Sequence, residues 1–313
     1  MNPTLRRLLW NIPVLLLIVT LAFALVRLAP GGPFDQEQAL APDVKANLDR
    51  AYGLDLPLSQ QYGRYLWRLV HGDFGPSMRL RDFTVNDLLR VGLPVSLSLG
   101  VWSLLLALGV GIPIGVLAAY HRGHGLERVL MPLMSLGVAI PSYVTAPTLA
   151  LVFGIYLHWL PVAGWEAGAA RDLVLPVVAL SLPTLATIAR LTRASALDVL
   201  EMSFLRTARA KGLSPLHTLF WHLLPPTLVP VLAYLGPAAA GILTGSLVVE
   251  TVFGLPGMGR YLVQGALNRD YTLVLGQVVV YASLILVINA IVDVLQGFLD
   301  PRLRLDARDS GRL

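Results

Sequence analysis

The chain lacks cysteine altogether, which excludes disulfide bonds, thiol catalysis and cysteine-held metal clusters. It is also poor in charged residues, which make up 14% of its 313 positions, against about 25% in soluble domains. Hydrophobic residues make up 55% of the chain, and the mean hydropathy is +0.67. This composition indicates an integral membrane protein.

Common catalytic signatures are missing as well. The sequence contains no H-E-x-x-H, no G-x-S-x-G and no G-x-x-x-x-G-K-[ST] phosphate loop. We therefore predict that the chain does not hydrolyse ATP by itself and holds no catalytic, cofactor-binding or metal-binding residues. Its basic residues are spread over polar segments instead of forming one face with interleaved aromatics, which argues against nucleic-acid binding.

Six apolar runs approach or exceed the roughly 20 residues that a membrane-spanning helix needs. They are 8–28, 94–119, 129–157, 173–189, 227–252 and 273–299. The first run continues past Ala22-Phe23-Ala24, which resembles a signal-peptide cleavage site, so we predict an uncleaved helix. Prolines within the runs, Pro141 and Pro147 among them, permit kinks.

The distribution of arginine and lysine predicts the orientation of these spans. With six spans, the side that holds both termini carries thirteen basic residues, and the two short loops on the other side carry three. The positive-inside rule then places both termini in the cytoplasm. The long segment 30–93 would lie outside, and loops of this length translocate largely regardless of charge.

A basic polar segment, residues 206–226, lies between the fourth and fifth runs. Leu197, Leu200, Phe204 and Ala208 recur at helical spacing, which predicts one helix over 195–210. Gly212 would end it, and Ser214-Pro215 reads as an N-cap followed by proline in the first turn of a second helix, 217–224. The residues alone leave two uses open: contact with a partner protein, or an amphipathic helix on the inner leaflet.

Three blocks of sequence resemble the peptide-permease branch of bacterial ABC importer membrane subunits, of the first oligopeptide permease subunit type. The opening block is LRRLLWNIPVLLLIVTLAFALVRLAPGGPFD, and the middle block resembles the E-A-A-x3-G-x9-I-x-L-P signature of such permeases. The closing blocks are VVETVFGLPGMGRYLVQGALNRDYTLVLGQ and NAIVDVLQGFLDPRLR. The resemblance covers nearly the whole chain.

The signature transfers to this chain position by position. Its family residues fall on Ala208, Gly212, Leu224 and Pro225. The glutamate and first alanine become Arg206 and Thr207, and the isoleucine becomes His222. The change to Arg206 removes a carboxylate from the surface, and the form R-T-A-R-A-K-G is similar to that of the peptide branch.

The resemblance implies a type I ABC importer permease fold with six transmembrane helices, a long first periplasmic loop, and a cytoplasmic coupling helix between helices 4 and 5. The implied segments are an N-terminal transmembrane helix (1–29), a periplasmic segment (30–93), a five-helix permease domain (94–300) and a cytoplasmic tail (301–313). The residues expected to contact an ATPase are Arg206, Thr207, Ala208, Arg209, Ala210, Lys211, Gly212, Leu213 and Ser214.

The resemblance also implies a function and an assembly. The expected protein imports oligopeptides across the bacterial inner membrane, together with a second, homologous permease, two ATPases that bind ATP and magnesium, and an external peptide-binding protein. Dipeptides, haem or nickel complexes are alternative cargoes. An intramembrane hydrolase and a non-catalytic membrane scaffold are the alternatives from other classes. For the segment 30–93 we expect either a surface that receives the binding protein or a packing collar.

Overall fold

A computed structural model describes residues 3–29, 31–34, 42–80, 82–166 and 169–299. Within these ranges the chain is helical, and its one β-type pairing is an isolated bridge between Pro76 and Thr84. The helices are α1 (Pro3–Leu28), α2 (Pro42–Tyr52), α3 (Leu58–Val70), α4 (Val85–Tyr120), α5 (Gly125–Ala139), α6 (Ser142–Leu149), α7 (Ala170–Leu200), α8 (Ser203–Ala210), α9 (Pro215–Thr218), α10 (Leu224–Val252), α11 (Met258–Leu267) and α12 (Tyr271–Leu299). The predicted tail 301–313 lies outside the described residues.

Five helical stretches in the described part of the chain are long and apolar enough to cross a membrane. They are Trp10–Leu28, Val85–Tyr120, Ala170–Leu200, Pro215–Val252 and Tyr271–Gly297. Each contains or largely overlaps one of the predicted runs, which confirms an all-α membrane protein. Several extend well beyond the run itself, because the backbone hydrogen bonds of a helix do not depend on apolar side chains.

The remaining predicted run, 129–157, is a bent pair of helices. Gly125–Ala139 and Ser142–Tyr156 meet at 104°, so the chain has six spans if this pair counts as one. The ring of Pro141 disfavours helical backbone at the residue before it, and Ile140 is extended, with φ −87° and ψ 117°. The kink that the sequence permits at Pro141 is thus a sharp break. Beyond Pro147, α6 passes into a π-helical segment, Ala150–Tyr156.

The described residues form two compact units. Unit 1 comprises those within 1–8, 97–255 and 285–313, and unit 2 those within 9–96 and 256–284. In unit 1, α7 packs against α5, α6 and α10. Gly111 and Gly115 bring α4 against α7, since a Cβ at Gly115 would lie 2.5 Å from the carbonyl oxygen of Ala189. Small residues spaced four apart commonly allow helices to approach this closely in a membrane.

Unit 2 joins α1, α3 and the first part of α12 through a buried cluster. Its members are Val19, Phe23, Tyr65, Leu275 and Val279. A second contact is polar: the buried carboxylate of Asp270 accepts hydrogen bonds from the hydroxyl of Ser77 and from the backbone N–H groups of Met78 and Leu273. The helix α3 therefore lies in a packed structure that also holds the loop before α4.

Candidate functional site

The basic segment begins with a break between α7 and α8. The helix α7 ends at Leu200, and Met202 is extended, with φ −70° and ψ 145°, before α8 starts at Ser203. The prediction of one continuous helix over 195–210 was therefore wrong. The break also shifts the buried face, because Leu205 is fully buried whereas Phe204, on the predicted apolar stripe, is 42% exposed.

The short helix α8 is anchored by its apolar side chains. Leu205 packs in a buried cluster with Val116 of α4, Val199 of α7 and Leu223. Burial of a leucine contributes about 1.5–3 kcal/mol, so this one side chain fixes α8 to two membrane helices and to the segment that follows it. Ala208, one helical turn later, is also buried.

The turn after α8 has the helix-ending and helix-starting residues that the sequence predicts. The N–H of Gly212 donates to the carbonyl of Arg209 at 3.0 Å, and Gly212 has φ +78°, a left-handed conformation that side chains other than glycine resist. The hydroxyl of Ser214 accepts a hydrogen bond from the N–H of His217 at 3.3 Å, and Pro215 is the first residue of α9. The predicted stop signal at Gly212 and the predicted N-cap at Ser214 are both confirmed.

The second helix is shorter and less regular than predicted. Only Pro215–Thr218 is α-helical, and the π-helical segment Leu219–Leu223 then leads without a break into α10. The helical backbone therefore does not end at Leu224-Pro225, and both residues belong to the continuous stretch Pro215–Val252. Within the described residues, Nδ1 of His222, at the signature's isoleucine position, is buried without a hydrogen-bond partner.

The predicted coupling residues present a largely exposed surface. Ala208 is buried and Leu213 is half-buried. The other seven are exposed: Arg206, Thr207, Arg209, Ala210, Lys211, Gly212 and Ser214. We call these nine residues, 206–214, the basic turn. It is anchored by the buried side chains of Leu205 and Ala208 in α8, and it exposes three positively charged side chains.

Two ion pairs that sequence reasoning missed lie in the same unit. Arg122, just after α4, contacts Glu201 with a distance of 2.9 Å between Nη1 and Oε1, and both side chains are more than 60% exposed. Arg193 of α7 donates to the carboxylate of Glu127 in α5. Neither pair follows from local spacing, because 79 and 66 residues separate the partners.

An open cavity of about 910 Å³ lies between α5 and α7. Its lining includes Glu127, Arg128, Arg190 and Arg193 beside apolar side chains such as Met131 and Leu191, so it is basic on balance. In the described ranges, no group of three or more histidine, cysteine, aspartate or glutamate side chains is close enough to hold a metal ion.

Residues 111–305 match the family described as "Binding-protein-dependent transport system inner membrane component". The chain is 50% identical over 300 residues to the oligopeptide transport system permease protein OppB of Salmonella typhimurium, covering 96% of this chain and 98% of that protein. It is 49% identical to OppB of Escherichia coli strain K12 over the same shares. It is 41% identical to the dipeptide transport system permease protein DppB of Bacillus subtilis, over 93% of this chain and 94% of that one.

The fold is similar to that of a solved transporter. Inward-facing conformations of the MetNI methionine ABC transporter match with a TM-score of 0.55 at 20% identity, over 68% of this chain and 96% of that one. This likeness supports the type I ABC importer permease fold. Taken with the full-length relatives, it means that the chain is a multi-pass inner membrane protein and belongs to the family of binding-protein-dependent transport system inner membrane components, in the branch of the oligopeptide and dipeptide permeases.

Proposed function

We propose that this chain is the membrane-spanning permease subunit of an ATP-driven importer that moves oligopeptides across the bacterial inner membrane by alternating access. The observation that carries the proposal is the 50% identity to an oligopeptide permease over nearly the full length of both chains. Since the chain has no phosphate loop, partner ATPases would bind ATP and magnesium and supply the work.

The basic turn is the proposed contact with an ATPase. Its exposed cations, Arg206, Arg209 and Lys211, would meet an acidic groove, while the buried Leu205 passes the motion of the partner to α4 and α7. A rigidly packed anchor suits this role, because a coupling helix must transmit the displacement of the ATPase without unfolding. The competing use, an amphipathic helix on the inner leaflet, would present the same cations to anionic lipid.

A charge reversal separates these two uses of the basic turn. Arg209→Glu should abolish copurification of the ATPases with this chain, and Arg50→Glu, an equal change on α2, should leave it intact. If the ATPases remain bound to the Arg209→Glu protein, the docking role is wrong.

The remaining partners follow from the same proposal. A second, homologous permease would complete the pathway, and an external binding protein would deliver the peptide. Both termini would lie in the cytoplasm, as the arginine and lysine distribution predicts. The segment 30–93 would then lie outside, where α2 and α3 either receive the binding protein or serve as a packing collar. Unchanged uptake after deletion of residues 43–52 would favour the collar.

Dipeptides are the second candidate cargo, because the chain is also 41% identical to a dipeptide permease over 93% of its length. Uptake of labelled dipeptide and pentapeptide by cells with and without this chain, its partners left in place, decides between them. Selective loss of pentapeptide uptake is the expected result. Loss of dipeptide uptake alone would assign the other cargo, and loss of neither would contradict both.

A further inference from the structure

Unit 2 contains a small cavity of about 120 Å³, bounded by α1, α2, α3, the loop before α4 and the start of α12. Three arginines, Arg27, Arg64 and Arg68, are among its lining residues, and no aspartate or glutamate is. A cavity of this composition has a positive potential, which favours an anion.

Arg27 is held in place without being neutralised. Its guanidinium carbon lies 5.4 Å from the ring centre of Phe23 and 5.3 Å from that of Tyr271. Such cation–π contacts orient the group and leave its charge unpaired. Its Nε is buried and has no hydrogen-bond partner in the described part of the chain.

Two further buried polar groups line the same cavity. Gln61 and Tyr65 lie one turn apart on α3, and each is only 9% exposed. The Nε2 of Gln61 donates to the carbonyls of Leu54 and Leu56, at 3.1 and 2.7 Å, which fixes the orientation of the amide. Its Oε1 and the hydroxyl of Tyr65 have no partner among the described residues. Buried groups of this kind are normally satisfied, so a bound species is expected.

Arg64 and Arg68 are exposed and border the cavity on α3. The guanidinium group of each lies close to a glycine with positive φ. A Cβ on Gly53 would lie 3.2 Å from Nη1 of Arg64, and a Cβ on Gly75 would lie 3.4 Å from Nη1 of Arg68. Arg68 is partly compensated by Asp73, at 3.8 Å. Arg27 and Arg64 form no ion pair within the described ranges.

We propose that this cavity binds a phosphate-type oxyanion that also carries a hydroxyl group. The N–H of Arg27 and the hydroxyl of Tyr65 donate to its oxygens, and guanidinium groups at the mouth match phosphate geometry. Since Oε1 of Gln61 only accepts, it requires a donor on the ligand. Two sources share this chemistry: inorganic phosphate in its monohydrogen form, and the glycerol phosphate headgroup of phosphatidylglycerol.

The test measures the thermal unfolding midpoint of the full chain in detergent. Dioctanoyl-phosphatidylglycerol and inorganic phosphate are titrated separately, and sodium sulfate controls for the general stabilisation that such salts give. A saturable rise in midpoint is expected with at least one of the two probes. Arg64→Gln and Tyr65→Phe should weaken that binding at least tenfold. Arg50→Gln should leave it unchanged, because Arg50 carries the same charge on α2, and its guanidinium donates to Ala46 and Asn47 of its own helix.

The responses to the two probes also identify the source of the bound oxyanion. Stabilisation by the lipid alone assigns the site to a headgroup, and stabilisation by phosphate assigns it to the free ion. If neither probe exceeds sulfate, or if Arg64→Gln and Tyr65→Phe bind as tightly as the unaltered chain, the cavity holds water only and the proposal is overturned.

Discussion

Arg193 of α7 donates a hydrogen bond from Nε to Oε1 of Glu127 in α5, at 2.6 Å. The other carboxylate oxygen of Glu127 accepts from the N–H of Gly123, also at 2.6 Å. One carboxylate therefore ties the loop after α4 to α5, and α5 to α7. The side chains of Arg193 and Glu127 are 29% and 12% exposed, and both border the open cavity between α5 and α7, so the pair is only partly shielded from solvent.

Loss of this carboxylate should loosen α5 from α7. Glu127→Gln is expected to lower the thermal unfolding midpoint of the purified chain, because the partly buried guanidinium of Arg193 loses its charged hydrogen-bond acceptor. Glu166→Gln, the same change at an exposed site, is the control. Combined with Arg193→Gln, the effect should be smaller than the sum of the two single changes. If the effects of the two single changes are strictly additive, the ion pair contributes nothing to stability.

Leu205 should matter for stability far more than its neighbour Phe204. Leu205→Ala removes a fully buried side chain and is expected to cost about 2–5 kcal/mol, as core leucine truncations do. Phe204→Ala removes a side chain that is 42% exposed and should cost much less. Chemical unfolding of the two variants compares them directly. A larger loss for Phe204→Ala would contradict the packing described for α8.

Leu205 and Phe204 also show where the prediction from sequence was wrong. Helical spacing placed Phe204 on the apolar stripe, because a single helix over residues 195–210 would carry one helical phase throughout. The extended backbone at Met202 resets that phase by interrupting the helix. No proline or glycine marks the break, so periodicity alone could not reveal it. The ends at Gly212 and Ser214 were predicted correctly, since they depend on local chemistry that each residue carries with it.

Gly212 offers a test of the turn itself. A Cβ there would meet no atom within 4 Å, so Gly212→Ala introduces only the strain of a left-handed backbone, about 1–2 kcal/mol. Gly212→Asn should cost less, because asparagine tolerates that conformation. Copurification of the ATPases should fall in the same order. Equal behaviour of the two variants would show that the positive φ does not matter.

The contact between α4 and α7 has a matched control on the same helix. Gly115→Ala places a Cβ 2.5 Å from the carbonyl oxygen of Ala189, whereas Gly109→Ala meets nothing within 4 Å. Overpacking costs about 1–3 kcal/mol, so Gly115→Ala should lower the unfolding midpoint. Gly109→Ala should leave it unchanged or raise it slightly. The same midpoint for both would contradict the close approach of these helices.

Long-range contacts account for most of what the sequence did not predict. Pro141 indicated a possible kink, but the 104° bend depends on how α5 and α6 pack on α7, which no local pattern encodes. The partner of Arg193 lies 66 residues away, in a stretch that reads only as the polar start of an apolar run. Composition and run length were sufficient for the class of fold, because a bilayer imposes them on any spanning helix.

The most direct test reconstitutes this chain in proteoliposomes with its partner permease, both ATPases and the binding protein, and measures ATP-driven accumulation of a labelled pentapeptide. We expect accumulation that requires ATP, is lost with Arg209→Glu and persists with Arg50→Glu. Accumulation that proceeds without ATP, or that Arg209→Glu leaves unchanged, would contradict the proposed function.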